Sequence, residues 1–189
     1  MSNFTQLNLP VFNNLYEQVN ELIEKNVISW GDTNQICLNT TKDEPDNFFL
    51  GAGSLDYNWD DVKVITKNGN TEYIIPSKTL PYGEKDFSIL CSQFKNTVFE
   101  EIYNVLSDNF TLGRIRLMNL KPKKCLSWHV DHTPRIHLPI KTQEGCLMVV
   151  ENEVFHMEKN TWWMVDTTKK HTAFNSSKEN RIHLVAVVL

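Results

Sequence analysis

The chain has 189 residues, 41% hydrophobic and 22% charged, with a formal net charge of -4. Such a length and balance fit one soluble domain that buries its own core, and argue against a disordered tail or a disulfide-stapled miniprotein. The acidic total and scattered lysines argue against a nucleic-acid surface, and no stretch approaches the ~20 apolar residues of a membrane span.

In chain order, the first predicted element is a helix over residues 10–26. There Phe12, Leu15, Tyr16, Val19, Leu22 and Ile23 recur at helical spacing behind Pro10. Residues 27–85 are rich in Asn, Asp, Gly and Pro; short strands are expected near 27–31, 35–39, 62–66 and 71–75, with a turn at Asn68-Gly69-Asn70. A second helix is expected over 86–107, with Phe87, Leu90, Phe94, Val98, Ile102 and Val105 on one stripe and Asp86 near its start. Beyond it, β-branched and aromatic runs recur at 113–120, 125–130, 135–140, 145–151, 153–157, 161–165, 170–174 and 181–188. Turn signals separate them, among them Thr133-Pro134 and Glu144-Gly145. Strands at this spacing predict a mainly β fold, a jelly roll, with the two N-terminal helices packed on one sheet. No linker divides the chain, so one domain over 1–189 is expected, with residues 111–189 as its core.

Charge is unevenly placed. Residues 1–110 hold 16 acidic side chains, seven lysines and no arginine; residues 111–189 hold 12 basic and seven acidic side chains, including all four arginines. All six histidines fall within residues 129–183. This clustering predicts a cation-rich pocket for a small anion. The four cysteines form no CxxC pair, and the N-terminus lacks a basic region followed by an apolar run. Both suggest reduced thiols in a cytoplasmic protein.

The most specific spacing is His129-Val130-Asp131. A strand turns residues i and i+2 to one face, so both side chains could grip one metal ion, and His171 would complete a two-histidine, one-carboxylate set. That set leaves open positions and suits non-haem ferrous iron. Arg181 lies in the apolar strand Arg181-Ile182-His183-Leu184-Val185-Ala186-Val187-Val188, where a buried cation needs an acidic partner. That partner is either a core residue such as Asp166 or the carboxylate of a bound co-substrate, for which 2-oxoglutarate is the natural choice beside ferrous iron. Arg135 and His137 share a face of the next strand, as an exposed edge or a second anion contact. Trp162 and Trp163 face opposite sides of theirs, so either both are core or one is core and the other, Trp163, a candidate pocket lining; Trp128 and Arg116 are further lining candidates. A cupin-like metal-binding or sensor protein without oxygenase turnover is the rival reading, and it leaves Arg181 without a task.

Six short elements occur in order over residues 112–189: Leu117-Met118-Asn119-Leu120-Lys121-Pro122, Trp128-His129-Val130-Asp131, Pro134-Arg135-Ile136-His137-Leu138-Pro139-Ile140, Trp162-Trp163, His171-Thr172-Ala173-Phe174-Asn175 and Arg181-Ile182-His183-Leu184-Val185. Together they resemble the aspartyl/asparaginyl β-hydroxylase family of Fe(II)- and 2-oxoglutarate-dependent oxygenases. The resemblance implies a double-stranded β-helix of cupin-like type and iron at His129, Asp131 and His171, the residues around which catalysis would occur. It further implies Arg181 on the distal carboxylate of 2-oxoglutarate, and Arg135 and His137 near its iron-proximal carboxylate. Two departures stand out. The animal enzymes that name the family carry glycine where this chain has Asp131, so the chain is more similar to the small-substrate hydroxylases of the superfamily. A serine that helps hold the co-substrate falls on Met118, and Asn119 or Ser127 is expected to replace it. With Leu189 directly after the last predicted strand, substrate contacts are expected from residues 27–85. The substrate is expected to be an amino acid, a peptide side chain of Asp, Asn or Pro type, or a related small molecule. The acidic, Asn-rich composition of 27–85 hints at a polar or cationic one.

Overall fold

Alternating apolar residues on successive strands set the architecture. In a computed structural model, which describes residues 2–55, 63–67, 70–74 and 81–189, the elements run β1 (Phe4–Leu7), α1 (Leu15–Glu24), β2 (Gln35–Cys37), β3 (Asn39–Thr40), β4 (Lys63–Lys67), β5 (Asn70–Ile74), β6 (Ile89–Leu90), α2 (Val98–Asn109), β7 (Leu112–Leu120), β8 (Lys124–Cys125), β9 (Arg135–Lys141), β10 (Cys146–Val150), β11 (Glu153–Phe155), β12 (Trp162–Val165), β13 (His171–Asn175) and β14 (Arg181–Val188). A six-stranded sheet has the order β1-β12-β9-β14-β7-β2, and a four-stranded sheet the order β11-β10-β13-β8. The pairings within both are antiparallel. Neighbours distant in sequence, and two such sheets face to face, make this the double-stranded β-helix expected from the strand spacing.

On the large sheet, Ile115 and Leu117 of β7, Ile136, Leu138 and Ile140 of β9, and Ile182, Leu184 and Ala186 of β14 form the outer face. They share one core with Leu15 and Val19 of α1 and Phe99, Ile102 and Leu106 of α2. Both helices therefore cover one sheet, as expected. A smaller cluster joins Phe4 and Val165 of the large sheet to Met148, Val150 and Ala173 of the small one, between the layers. Phe99 is fully buried and packs edge-on against Phe94 at 5.7 Å. Phe99→Ala is therefore expected to cost about 3–5 kcal/mol, read as a lowered denaturant midpoint with an unchanged slope.

The helices start later than their apolar stripes suggest. α2 begins at Val98 because Thr97 caps it, accepting from Phe99 N at 3.1 Å, while Glu100 accepts from Asn96 N at 2.6 Å. Asn96 itself is left-handed, with φ 59°. The pattern Thr97-x-x-Glu100 is a helix-start signal of its own, which the longer stripe obscured. Phe87 and Leu90 are not helical; they belong to a one-turn 3-10 helix's cap and to β6. α1 begins at Leu15 because the stretch before it runs over Trp162, whose indole donates to Pro10 O at 2.8 Å. Three strand expectations also change. Residues 27–31 form none, β1 was not expected, and 125–130 keeps only β8 and one isolated bridge at His129. The turn at Glu144-Gly145 holds: Gly145 has φ 88°, and a Cβ there would lie 2.5 Å from Ser176 Oγ. The turn expected at Asn68-Gly69 lies outside the described residues. All four cysteines are free thiols. Among the described residues no helix is long and apolar enough to cross a membrane.

Candidate active site

The inner face of the large sheet carries the residues that alternate with the core. On β7 these are Arg114, Arg116 and Met118; on β9, Arg135 and His137; on β14, Arg181, His183 and Val185. All but His183 line a cavity of about 660 Å³, closed on its other side by Leu126, Met148, His171 and Ala173. Register sets the rows: Val185 pairs with Arg116 on one side and His137 on the other, and His183 with Met118 and Pro139.

At one wall of this cavity the predicted triad assembles. His129 and His171 form a bridge, exchanging backbone hydrogen bonds of 3.1 and 2.9 Å, and Asp131 N donates to Thr167 O at 2.9 Å. The backbone thus brings a segment forty residues away beside the start of β13. One ligand atom from each of His129, Asp131 and His171 lies within 4.8 Å of the others. His129 Nδ1 is 2.7 Å from Ser127 O, and His171 Nδ1 is 2.9 Å from Lys169 O. A carbonyl only accepts, so both Nδ1 atoms carry a proton, which in the neutral ring leaves Nε2 as the atom with the lone pair a metal ligand needs. Burial holds His171 below the usual imidazole range, which favours that neutral form. Arg135 Nε sits 3.2 Å from Asp131 Oδ2 and helps fix the carboxylate.

The other arginines are not equally satisfied. Arg114 is fully engaged: it donates to Glu84 from Nε and NH2, at 2.8 Å for the shortest, and to Gly51 O and Gly53 O at 2.7 and 2.9 Å. Burial works against the Glu84 anion, but the bonds and charge of Arg114 outweigh it and hold the carboxyl below its usual range. Among the described residues Arg116 donates only to neutral oxygens, Gln35 Oε1 at 3.0 Å and Gly53 O at 3.1 Å, and its Nε has no partner. Burial pulls Arg116 down to about 10. Arg181, only 4% exposed, has one hydrogen bond, 3.1 Å from NH2 to His183 Nδ1, and no carboxylate among the described residues. Its Nε is also unpartnered, and burial pulls it down to about 10. Asp166, the alternative partner, instead meets Lys169 at 3.4 Å. Both nitrogens of His137 are buried without a partner among the described residues, and burial followed by the Arg181 charge holds this ring well below the usual histidine range.

The donor set therefore suits ferrous iron, and the orphaned donors of Arg181 and His137 suit an anion beside it. Among the described residues the cavity lining has four arginines against two carboxylates, Glu84 and Asp131. That balance favours an anionic guest.

Of the residues expected at the site, His129, Asp131, His171, Arg181, Arg135, His137, Ser127 and Arg116 line the cavity. Asn119 does not: it shares the parity of Ile115 and Leu117, which face the helices, so a residue one step from Met118 cannot take its place. Trp128 is 51% exposed and Trp163 packs on Phe155 at 4.6 Å; neither lines the cavity. Trp162 is core, as its opposite parity requires. Gln35, Gly53, Tyr82 and Glu84 come from the 27–85 segment expected to supply this wall, though none was singled out; Glu84 reaches Arg114, and Gln35 and Gly53 reach Arg116, through contacts 30 or more residues long that leave no local pattern. Arg114 was legible, two residues before Arg116 on one strand face.

A family model described as Aspartyl/Asparaginyl beta-hydroxylase matches residues 21–189. Among curated proteins, L-proline cis-4-hydroxylase of Rhizobium meliloti (strain 1021) is 27% identical over 115 residues, covering 58% of this chain and 35% of that protein. The match thus spans about a third of the relative's length. Among solved structures, an oxidoreductase of the 2OG-Fe(II) oxygenase family from Burkholderia pseudomallei aligns at 15% identity with TM-score 0.37, over 40% of this chain and 43% of its own. AviO1 from Streptomyces viridochromogenes Tue57 aligns at 12% identity with TM-score 0.47, over 97% of this chain and 87% of its own.

Proposed function

This chain belongs to the aspartyl/asparaginyl β-hydroxylase family, and we propose that it is an Fe(II)- and 2-oxoglutarate-dependent hydroxylase of an amino acid or a related small carboxylate. The observation that carries this reading is the buried Arg181, with no acid among the described residues, in the same cavity as the His129, Asp131 and His171 triad. Ferrous iron with 2-oxoglutarate would supply the dioxygen chemistry that converts a substrate C–H bond to an alcohol.

The protein's own part is placement. His129 Nε2, Asp131 and His171 Nε2 would hold the metal, with Ser127 O, Lys169 O and Arg135 fixing their orientations. Arg181 would take the distal carboxylate of 2-oxoglutarate through its planar fork, and Arg135 and His137 would face the other end. Misplacing the reacting carbon by ~1 Å can cost on the order of a hundredfold in rate, which gives the second set of bonds around the ligands its purpose.

Arg116 is assigned to the substrate. It is the one other buried cavity arginine without a carboxylate among the described residues, and it stands in the row of Val185 and His137. A substrate carboxylate would complete it. Arg116→Met is expected to raise the substrate KM by about thirtyfold or more, the scale of losing one partner of a buried charge pair. The affinity for 2-oxoglutarate should stay unchanged. Succinate release measured over amino acids, acidic peptides and small carboxylates tests the assignment. Stimulation by carboxylate-bearing compounds supports it, and stimulation by amines alone overturns it. A metal-binding protein without turnover would use the triad equally well but gives neither Arg181 nor Arg116 an anionic partner.

A further inference from the structure

His183 stands in a strand whose neighbours Ile182, Leu184, Val185, Ala186 and Val187 are all apolar, and it is 1% exposed. A leucine or methionine would fill that space without desolvating an imidazole, so packing alone does not call for histidine. The ring's Nε2 is buried with no partner among the described residues, a second cost that packing does not explain. Its Nδ1, however, lies 3.1 Å from Arg181 NH2. A guanidinium only donates, so Nδ1 accepts, the proton sits on Nε2, and the ring is neutral. Burial and the adjacent Arg181 charge both hold His183 well below the usual histidine range, in keeping with that state.

This is the sole hydrogen bond of the Arg181 guanidinium among the described residues. The cross-strand neighbours of His183 offer no substitute: Pro139 has no polar side-chain atom, and Met118 has only a thioether. An arginine has several rotatable bonds, and a fork that must meet a carboxylate bidentately gains from being held beforehand. We propose that His183 is a positioning residue, whose Nδ1 holds one arm of Arg181 so that the rest of the fork is presented to the carboxylate of the co-substrate. The inference rests on the reading of Arg181 as the anchor of 2-oxoglutarate.

The test is an oxygen-free titration of the Fe(II)-loaded protein, followed by visible absorption and calorimetry. One ligand is 2-oxoglutarate; the other is 2-oxobutanoate, which keeps the keto acid and lacks the distal carboxylate. His183→Leu is expected to weaken 2-oxoglutarate by about tenfold or more, the scale of a hydrogen bond to a charged group, and to leave 2-oxobutanoate unchanged. His183→Asn, whose amide oxygen can stand near Nδ1, should recover most of the loss. His183→Gln, whose acceptor is displaced, should bind as weakly as the leucine variant, and it replaces that variant if the latter does not fold. Equal weakening of both ligands, or of neither, overturns the positioning role. A wild-type protein that binds 2-oxobutanoate as tightly as 2-oxoglutarate overturns the reading of Arg181 instead.

Discussion

Asp131→Ala is expected to leave a folded protein whose hydroxylation rate falls by about a thousandfold or more, since a bound metal contributes several kcal/mol and each 1.36 kcal/mol is a decade. Asp131 brings the only carboxylate to the three-residue ligand group, and its Oδ2 lies 3.7 Å from His171 Nε2. Without it, two neutral imidazoles remain, and the arginine-rich cavity repels a divalent cation with less to oppose it. Arg135 also loses its 3.2 Å partner and keeps only its bonds around Thr133. Metal content after dialysis separates the two effects: it should fall to background in Asp131→Ala and stay low in Asp131→Asn, which keeps an oxygen for Arg135 but not the charge. Retained, stoichiometric metal in both variants would place the metal elsewhere.

Arg181→Met is expected to separate stability from function. In the ligand-free protein Arg181 is a buried cation with one neutral partner, His183, and such a charge is costly in a low-dielectric interior. Methionine fills similar space without that cost, so the ligand-free variant should melt at a higher temperature than the wild type. Its affinity for 2-oxoglutarate should fall by about 2–5 kcal/mol, the loss from truncating one partner of a buried charge pair. At about 1.4 kcal/mol per decade that is roughly thirtyfold to a few thousandfold. Thermal melting with and without 2-oxoglutarate reads both effects. A variant that melts lower and still gains the wild-type ligand shift would contradict the assignment of Arg181. The gain in one state and loss in the other is the expected mark of a functional residue at odds with its fold.

The second half of the chain was the more legible because strand period and side-chain direction are locked together. Arg135 and His137 on β9, read two residues apart, share a facing, and Arg181 on β14 joins them in the cavity; His129 and Asp131 reach it instead from a single isolated bridge. The same rule, applied strictly to β7, would have excluded Asn119 and admitted Arg114. What the sequence concealed travels through space. Glu84 reaches Arg114 across 30 residues, and Gly53 reaches Arg116 across 63. The late start of α2 is different in kind: Thr97 and Glu100 announced it locally, but the apolar stripe continues through Phe87, Leu90 and Phe94, which are buried or half-buried outside the helix. Periodicity reports burial, and the cap decides where the helix begins.

That one cavity holds both the metal triad and the anchor for 2-oxoglutarate is open to direct experiment. The most direct test is to add Fe(II) and then 2-oxoglutarate to the purified protein without oxygen and record the visible spectrum. A charge-transfer band that develops to one equivalent of 2-oxoglutarate, is absent in Asp131→Ala and needs far more ligand in Arg181→Met, is the predicted result. Iron that binds at His129, Asp131 and His171 with no spectral response to 2-oxoglutarate would contradict it and leave a metal-binding barrel without this co-substrate.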